Sequence, residues 1–447
     1  MGKLFGTDGI RGIANLDLTP QLAFEVGRAA AYILSKNKNG RVIVGKDTRK
    51  SGDLIETSLA CGLMSIGLDV ELAGVIPTPG IAYLTKTGDY LCGVEISASH
   101  NPFEYNGIKF FSSEGYKLPD EVEEQIEEVI YSDTQLYRDA TGNQVGTLKR
   151  EDRLVEKYKD YLLSLTDQRF DGLTVCLDTG NGALSKIAKE VLEHLGATVY
   201  IINDKPNGEN INDQCGSTNP TLIADFVLEK QADMGMSFDG DADRIIAVDE
   251  KGRIVDGDHI LAICATYLKE NNQLKNNACV GTIMSNIGLE KYLASIDVEL
   301  IQTKVGDRYI LEEMKNSDYV LGAEQSGHVI FLDFNTTGDG LATGIHLLEI
   351  MVKKGQKLSQ LNDLMISYPQ VLVNAKVRND LKNRYLEFPE IVQGIEKLER
   401  KYKDEGRIVI RSSGTEPLVR VMLEGSDTKV LKEDAIELAK IIEKTLN

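Results

Sequence analysis

Along most of this chain an apolar strand runs into a polar loop, a helix follows, and the unit starts again. Arg41-Val-Ile-Val44 leads into Gly45-Lys-Asp-Thr-Arg49, and Cys92–Ile96 leads into a polar loop at Ser97. Leu173–Leu177 ends in Asp-Thr-Gly-Asn-Gly182 and a following helix, Asp233–Phe238 ends in an acidic loop, and Cys279–Met284 runs into Ser285-Asn286. Thr19-Pro20 opens a helix, with Thr19 as cap and Pro20 in the first turn. Further helices are predicted over Asp120–Ile130 and Glu151–Leu165, and a strand over Thr198–Ile202. The charges of the Asp120–Ile130 helix read as a solvated outer face beside an apolar stripe of Val122, Ile126 and Val129. Such alternation predicts βα units, whose ligands gather at the carboxyl ends of the strands.

The last stretch breaks the pattern. Val371–Val377, a helix, Arg407–Arg411, Leu418–Glu424 and a helix over Val430–Lys444 read as a small α+β unit behind Pro369. The expected fold is therefore α/β. Three similar βα-rich domains with mixed sheets and a smaller C-terminal α+β domain surround a central cleft. The boundaries are set at residues 1–150, 151–252, 253–369 and 370–447 of the 447. An internal repeat is suggested by the type of loop after each strand, though not by its letters.

Charge narrows the partners. With 50 Lys+Arg against 69 Asp+Glu the formal net charge is −19. Such a chain repels nucleic acid and anionic membrane, so neither is an expected partner. An anionic ligand would need basic residues concentrated locally. Six scattered cysteines without a C-x-x-C read as small buried side chains in a reducing cytoplasm, not as a zinc site or a disulfide framework. No apolar run approaches the roughly 18–20 residues that span a bilayer.

Four polar segments carry chemistry. Asp239-Gly-Asp-Ala-Asp-Arg244 sets three carboxylates at i, i+2 and i+4 in a tight loop, a cluster that a hard divalent cation makes cheap. An EF-hand would continue to Glu250, but Arg244 stands where its glycine belongs, and the flanks read as strands. Ser97-Ala-Ser-His-Asn-Pro102, followed by Asn106-Gly-Ile-Lys109, offers a serine nucleophile without the G-x-S-x-G elbow of a hydrolase. Arg411-Ser-Ser-Gly-Thr-Glu-Pro417 with Arg420 suits an anion nest, and Gly322-Ala-Glu-Gln-Ser-Gly-His328 suits a polyol. Lys304-Val-Gly-Asp-Arg308 and Thr7-Asp-Gly-Ile-Arg11 add polar and basic loops, whereas His194, His259 and His346 read as structural. A serine, a metal loop, an anion nest and a polyol loop together indicate phosphoryl transfer on a phosphorylated sugar.

In this order and spacing the four segments resemble the α-D-phosphohexomutases, over essentially the whole chain. The opening Phe5-Gly-Thr-Asp-Gly-Ile-Arg-Gly12, Thr303-Lys-Val-Gly-Asp-Arg-Tyr309, Glu324-Gln-Ser-Gly-His328 and Cys215-Gly-Ser-Thr218 resemble the glucosamine branch of that family. The resemblance implies four domains around a deep cleft. It implies interconversion of glucosamine 6-phosphate and glucosamine 1-phosphate, on the route to UDP-N-acetylglucosamine and the cell wall. By the same motifs Ser99 carries phosphate, and Mg²⁺ is held by Asp239, Asp241, Asp243 and the phosphoserine. The sugar loop falls on Glu324 and Ser326, and the phosphate loop on Arg411, Ser413, Gly414, Thr415 and Arg420. Lys109 and Arg244 can neutralise moving charge; Arg11, Asp307 and His328 complete the catalytic candidates, with Arg308 a further substrate contact. A hexose 1,6-bisphosphate is the intermediate and activator, a sugar phosphate the partner, and a homodimer stays open. Asp307 stands where the glucose and mannose mutases carry a histidine, and Asn219 where a histidine is frequent. A phosphomannomutase/phosphoglucomutase, a serine-dependent metallophosphatase and a Ca²⁺-binding non-enzyme remain as alternative readings.

Overall fold

The computed structural model describes residues 4–6, 8–36, 39–132, 136–403, 405–413 and 416–447. Thr7, Gly414 and Thr415 of the motifs lie outside the described residues. The fold is α/β, with four sheets in chain order among the described residues.

The first sheet holds β1 (Ile10–Ile13), β2 (Arg41–Lys46), β3 (Asp69–Val75), β4 (Cys92–Ile96), β5 (Tyr105–Ser112) and β6 (Leu148–Arg150), in the order β1-β5-β4-β2-β3-β6. The second holds β7 (Thr174–Asp178), β8 (Thr198–Ile202), β9 (Met234–Phe238), β10 (Ile245–Asp249) and β11 (Ile254–Val255), in the order β11-β10-β9-β7-β8. The third holds β12 (Ala278–Thr282), β13 (Glu299–Thr303), β14 (Leu321–Ala323) and β15 (Val329–Phe331), in the order β13-β12-β14-β15. The fourth, β16 (Gln370–Lys376), β17 (Arg407–Ser412) and β18 (Leu418–Glu424), is antiparallel throughout.

One topology occurs three times. β3-β2-β4-β5, β8-β7-β9-β10 and β13-β12-β14-β15 each run parallel until the last strand, which turns back antiparallel. The turn into that last strand carries Ser99 in the first sheet, Asp239–Arg244 in the second and Glu324–His328 in the third. The repeat that the loop chemistry suggested is thus a repeat of strand order.

Alternation along β2 explains how the first sheet is buried on both faces. Val42 and Val44 pack with helix residues Val26, Ala30, Ile55 and Leu59, while Ile43 joins a core continuous through the second and third domains. That shared core includes Tyr158, Phe238, Ile260 and Leu347, so the three domains are packed on one another. The C-terminal unit has its own core around Val421, Leu431 and Leu438. It is tied back through Arg407 to Ser285 O, and through Gln370 Nε2 to Met284 O at 3.3 Å.

Asn106–Lys109, for which no element was expected, lies in β5, where its Asn-Gly is held within a pairing with both β1 and β4. Three expectations need correction. The helix expected directly after Gly182 begins only at Ala188, behind a run of turns. Cys61 is exposed, while the other five cysteines are buried. The charges of the Asp120–Ile130 helix are not all solvated: Glu123 is buried, and it and Asp120 pair with Arg308. Among the described residues no helix is long and apolar enough to cross a membrane.

Candidate active site

Ser99 lies just beyond the carboxyl end of β4 in a left-handed backbone conformation, φ +52°. Its hydroxyl donates to Asp239 Oδ2 at 2.6 Å and lies 3.3 Å from His100 Nδ1. A left-handed serine costs about 1–2 kcal/mol, so its surroundings must hold it there. Ser97 Oγ accepts from Ser99 N at 2.9 Å and donates to Asp47 Oδ2 at 2.6 Å. Arg49, paired with Asp47, donates from Nη2 to the carbonyls of Ser99 at 3.0 Å and Asn101 at 2.5 Å. Asn212 of the second domain donates to the same two carbonyls at 2.9 and 3.2 Å. Gly240 permits the approach of the acidic loop, since a Cβ there would stand 2.7 Å from Ser99 O.

The acidic loop joins β9 to β10, so its flanks are strands, as the rejection of an EF-hand requires. Asp239, Asp241 and Asp243 are buried, and one carboxylate oxygen of each lies within 4.8 Å of the others. Asp241 Oδ2 accepts from Lys109 Nζ at 2.7 Å and from Thr78 Oγ1 at 2.6 Å. Asp241 Oδ1 and Asp243 Oδ1 are buried with no hydrogen-bond partner among the described residues. Burial and then the charges of Asp243 and Asp241 push the Asp239 carboxyl well up. Asp243 is held low: burial opposes ionisation, but Lys109 and His328 outweigh it. Unpartnered buried carboxylate oxygens beside an acid driven toward protonation are what a hard cation relieves, so the residues present fit a divalent metal.

Basic side chains surround the three carboxylates. Lys109 also approaches Asp8 at 3.1 Å and Asp243 at 3.8 Å. Arg244 Nη1 lies 3.1 Å from His100 Nδ1, and its Nε lies 3.8 Å from Asp243. Burial, then Arg244 and Arg11, push the His100 pKa down to about 4, so this imidazole is neutral at pH 7. Arg11 pairs with Asp8. Glu95, opposite Lys109 on β4, is fully buried with both oxygens unpartnered among the described residues, and burial followed by Asp241 raises its pKa strongly.

The third domain contributes His328, whose ring lies 3.7 Å from Asp243 and 3.5 Å from Asp307. Gly338 N donates to its Nε2 at 3.1 Å. Gly327 before it has φ +92°, and a Cβ there would meet Ile245 O at 1.9 Å. Glu324 is half-buried and accepts from Gly306 N at 3.0 Å, while Ser326 is exposed at the rim. In the C-terminal domain Ser413 is buried, Arg420 pairs with Glu416 at 3.1 Å, and Arg411 feels the charge of Glu324 across the cleft.

The structure thus brings Ser99, Lys109, Arg244, His328, Asp307, Arg11 and the three aspartates together, with Glu324 and Arg411 across the opening. Arg308 is drawn elsewhere, to Leu118 O, Asp120 and Glu123 of the first domain. Sequence reasoning missed Thr78, Asn212 and Lys117 outright. Asp8, Asp47 and Arg49 stood in quoted segments, but nothing in their spacing marked them as partners of Ser99 or Lys109.

The phosphoglucomutase/phosphomannomutase profiles match along the chain: α/β/α domain I over residues 2–137, domain II over 153–252, domain III over 256–368 and the C-terminal domain over 372–441. The chain belongs to the phosphoglucomutase/phosphomannomutase family. It is 56% identical to the phosphoglucosamine mutase of Alkaliphilus oremlandii, with 100% of each chain covered. It is 53% identical to that of Finegoldia magna, with 99% of each covered. Like other members of this family it is an isomerase. A family protein from Burkholderia thailandensis superposes with TM-score 0.82 at 23% identity, covering 100% of this chain and 98% of the other. An Aspergillus fumigatus N-acetylphosphoglucosamine mutase, solved with GlcNAc-6P and magnesium, does so with TM-score 0.71 at 18% identity, covering 99% and 96%.

Proposed function

We propose that this member of the family interconverts glucosamine 6-phosphate and glucosamine 1-phosphate through a phosphoserine at Ser99 and a glucosamine 1,6-bisphosphate intermediate. The observation that carries the reading is the 2.6 Å contact of Ser99 Oγ with Asp239, which sets a strained serine against a metal-fitting carboxylate cluster. Full-length identity to phosphoglucosamine mutases supports the amino sugar as substrate.

Mg²⁺ would be held by Asp239, Asp241, Asp243 and a phosphoryl oxygen on Ser99, where it offsets their negative charge and makes phosphorus more electrophilic. A phosphoserine brings about −1.5 to −2 further charge, which Lys109 and Arg244 are placed to offset. A sugar hydroxyl attacks the phosphorus, the bond to Ser99 Oγ breaks, and the hydroxyl proton passes to a group of the cleft wall. The bisphosphate turns around, and its other phosphoryl group returns to Ser99. Arg411, Ser413 and Arg420, with Gly414 and Thr415 between them in sequence, hold whichever phosphate is not reacting. Glu324 and Ser326 face the sugar.

The test is incubation of the purified chain with glucosamine 6-phosphate, with intact mass measured in parallel. The 1-phosphate should appear, and the chain should carry one added phosphate that Ser99→Ala abolishes. Release of inorganic phosphate without isomerisation would make the chain a phosphatase instead.

A further inference from the structure

Lys117 belongs to no motif of the sequence, yet it closes a ring of acid and base side chains at the cleft floor. Its Nζ lies 2.5 Å from Asp8 and 2.5 Å from Asp307. From Asp307 the ring runs to His328 at 3.5 Å, to Asp243 at 3.7 Å, to Lys109 at 3.8 Å and back to Asp8 at 3.1 Å. Lys117, Lys109 and Asp8 come from the first domain, Asp243 from the second, and Asp307 and His328 from the third.

The neighbouring residue makes the reciprocal contact. Arg308 reaches back to Leu118 O, Asp120 and Glu123, so next to the cation that the first domain gives Asp307 the third domain returns one of its own. Lys315 adds a cation 3.9 Å from the Tyr116 ring. Lys117 and Asp307 also line a cavity of about 290 Å³ between the two domains. Desolvation favours the neutral amine of Lys117, but Asp307 and Asp8 outweigh it, so the ammonium stays charged.

We propose that Lys117 is a positioning residue that acts through Asp307. It cancels the charge that Asp307 brings to the cleft and holds this carboxylate toward His328, so that the phosphate dianion of the sugar does not meet an uncompensated anion. Asp8 does not depend on Lys117, since Lys109 and Arg11 also pair with it. The inference rests on the sugar phosphate reading of this cleft.

The test is a double-mutant cycle on the full-length chain. Binding of glucosamine 6-phosphate is measured by calorimetry in a Ser99→Ala background, and kcat and KM are measured with Ser99 intact. Lys117→Met should weaken binding about 10-fold, the scale of one unit charge acting across a half-buried site. Lys117→Met with Asp307→Asn should return to within about threefold of the parent, because the orphaned carboxylate is gone. Lys117→Arg should bind like the parent. Asp307→Asn alone, which keeps Lys117 in place should Lys117→Met not fold, should leave affinity unchanged or tighter while lowering kcat. A purely structural pair would instead weaken both. Lys117→Met binding within twofold of the parent, a double variant as weak as Lys117→Met, or weakened binding in Asp307→Asn would each overturn the proposal. A parent chain that binds the sugar phosphate while the Ser99 enzyme fails to isomerise it refutes the proposed function alone. A parent that binds no hexose phosphate refutes both.

Discussion

Arg411 and Arg420 stand directly opposite each other on β17 and β18, two cations at paired positions of one antiparallel ladder. Like charges so placed destabilise a sheet unless something lies between them. Glu416 compensates Arg420, but the Nε of both guanidinium groups is buried without a partner among the described residues. Burial, followed by the Arg420 charge, lowers the Arg411 pKa. An anion bridging the two turns this repulsion into attraction.

Arg411→Ala should therefore raise KM for the sugar phosphate more than it lowers kcat, since the loop grips the phosphate that is not reacting. Steady-state kinetics on glucosamine 6-phosphate read the split directly. A kcat defect at unchanged KM would remove this loop from phosphate binding.

Ser99→Ala should lower turnover by about 10,000-fold, because the covalent carrier is gone. Ser97→Ala keeps the carrier but removes the hydroxyl that accepts from Ser99 N and satisfies Asp47. It should cost only about 10-fold, the scale of one buried hydrogen bond. The order of the two losses decides which serine carries phosphate.

Excess EDTA should abolish activity, and Mg²⁺ should restore it. Asp241→Asn should need a higher Mg²⁺ concentration for half activity, because one of three carboxylate charges is lost. An oxygen for Lys109 and Thr78 survives in the amide, so the fold around the loop should persist. Full activity in EDTA would sink the metal reading.

Much of this was readable from the chain, and the remainder has identifiable causes. Cys92–Ile96, Thr198–Ile202 and Leu418–Glu424 read as strands because apolar and β-branched residues predominate in each short run between polar breaks, despite Glu95 and Arg420 within two of them. β5 was hidden because its Asn106-Gly107 has turn chemistry, yet pairing on both sides fixes it as a strand. The type of loop after each strand suggested a repeat, but the shared hairpin behind it was hidden because the three loops share a position and no common sequence: one carries Ser99, one three aspartates, one Glu324 and His328. Glu123 looked solvated because its partner, Arg308, is 185 positions away in sequence and meets it only once two domains pack. The Lys117–Asp307 pair was invisible for the same reason.

Stability should also vary with pH through Asp339. It caps the Gly340–Lys354 helix, accepts from Ala342 N at 3.0 Å and lies 3.0 Å from the Tyr158 hydroxyl of the second domain. Burial outweighs these bonds and pushes its pKa up to about 6. The folded chain therefore holds this proton more tightly than the unfolded chain does. The resulting stabilisation is full below about pH 4 and is lost as pH rises through about 6. Asp339→Asn keeps a capping oxygen and never ionises. Its unfolding free energy relative to the parent should rise by about 2–3 kcal/mol between pH 4 and pH 7.5. Denaturant titrations at the two pH values check this, and an unchanged difference would mean that Asp339 is not raised.

Specificity should reside at Glu324. Its carboxylate accepts from Gly306 N at 3.0 Å, which fixes the side chain at the cleft, half-buried and within the fields of Arg244 and Arg411. A C2 ammonium on the sugar offers it a charge-assisted hydrogen bond of about 1.5–3 kcal/mol, where a C2 hydroxyl offers a neutral donor. If that bond is made in the transition state, glucosamine phosphate should be preferred over glucose or mannose phosphate by roughly 10- to 150-fold in kcat/KM. Glu324→Gln keeps the size and the oxygen that accepts from Gly306 and loses the charge. It should cut kcat/KM on glucosamine phosphate by most of that factor and change the glucose and mannose values by much less, bringing the three together. Side-by-side kinetics on the three 6-phosphates with both chains decide the matter. Equal rates in the unsubstituted chain would place it with the glucose and mannose mutases. An equal loss on all three sugars in the variant would make Glu324 a general sugar contact with no part in selecting the amine.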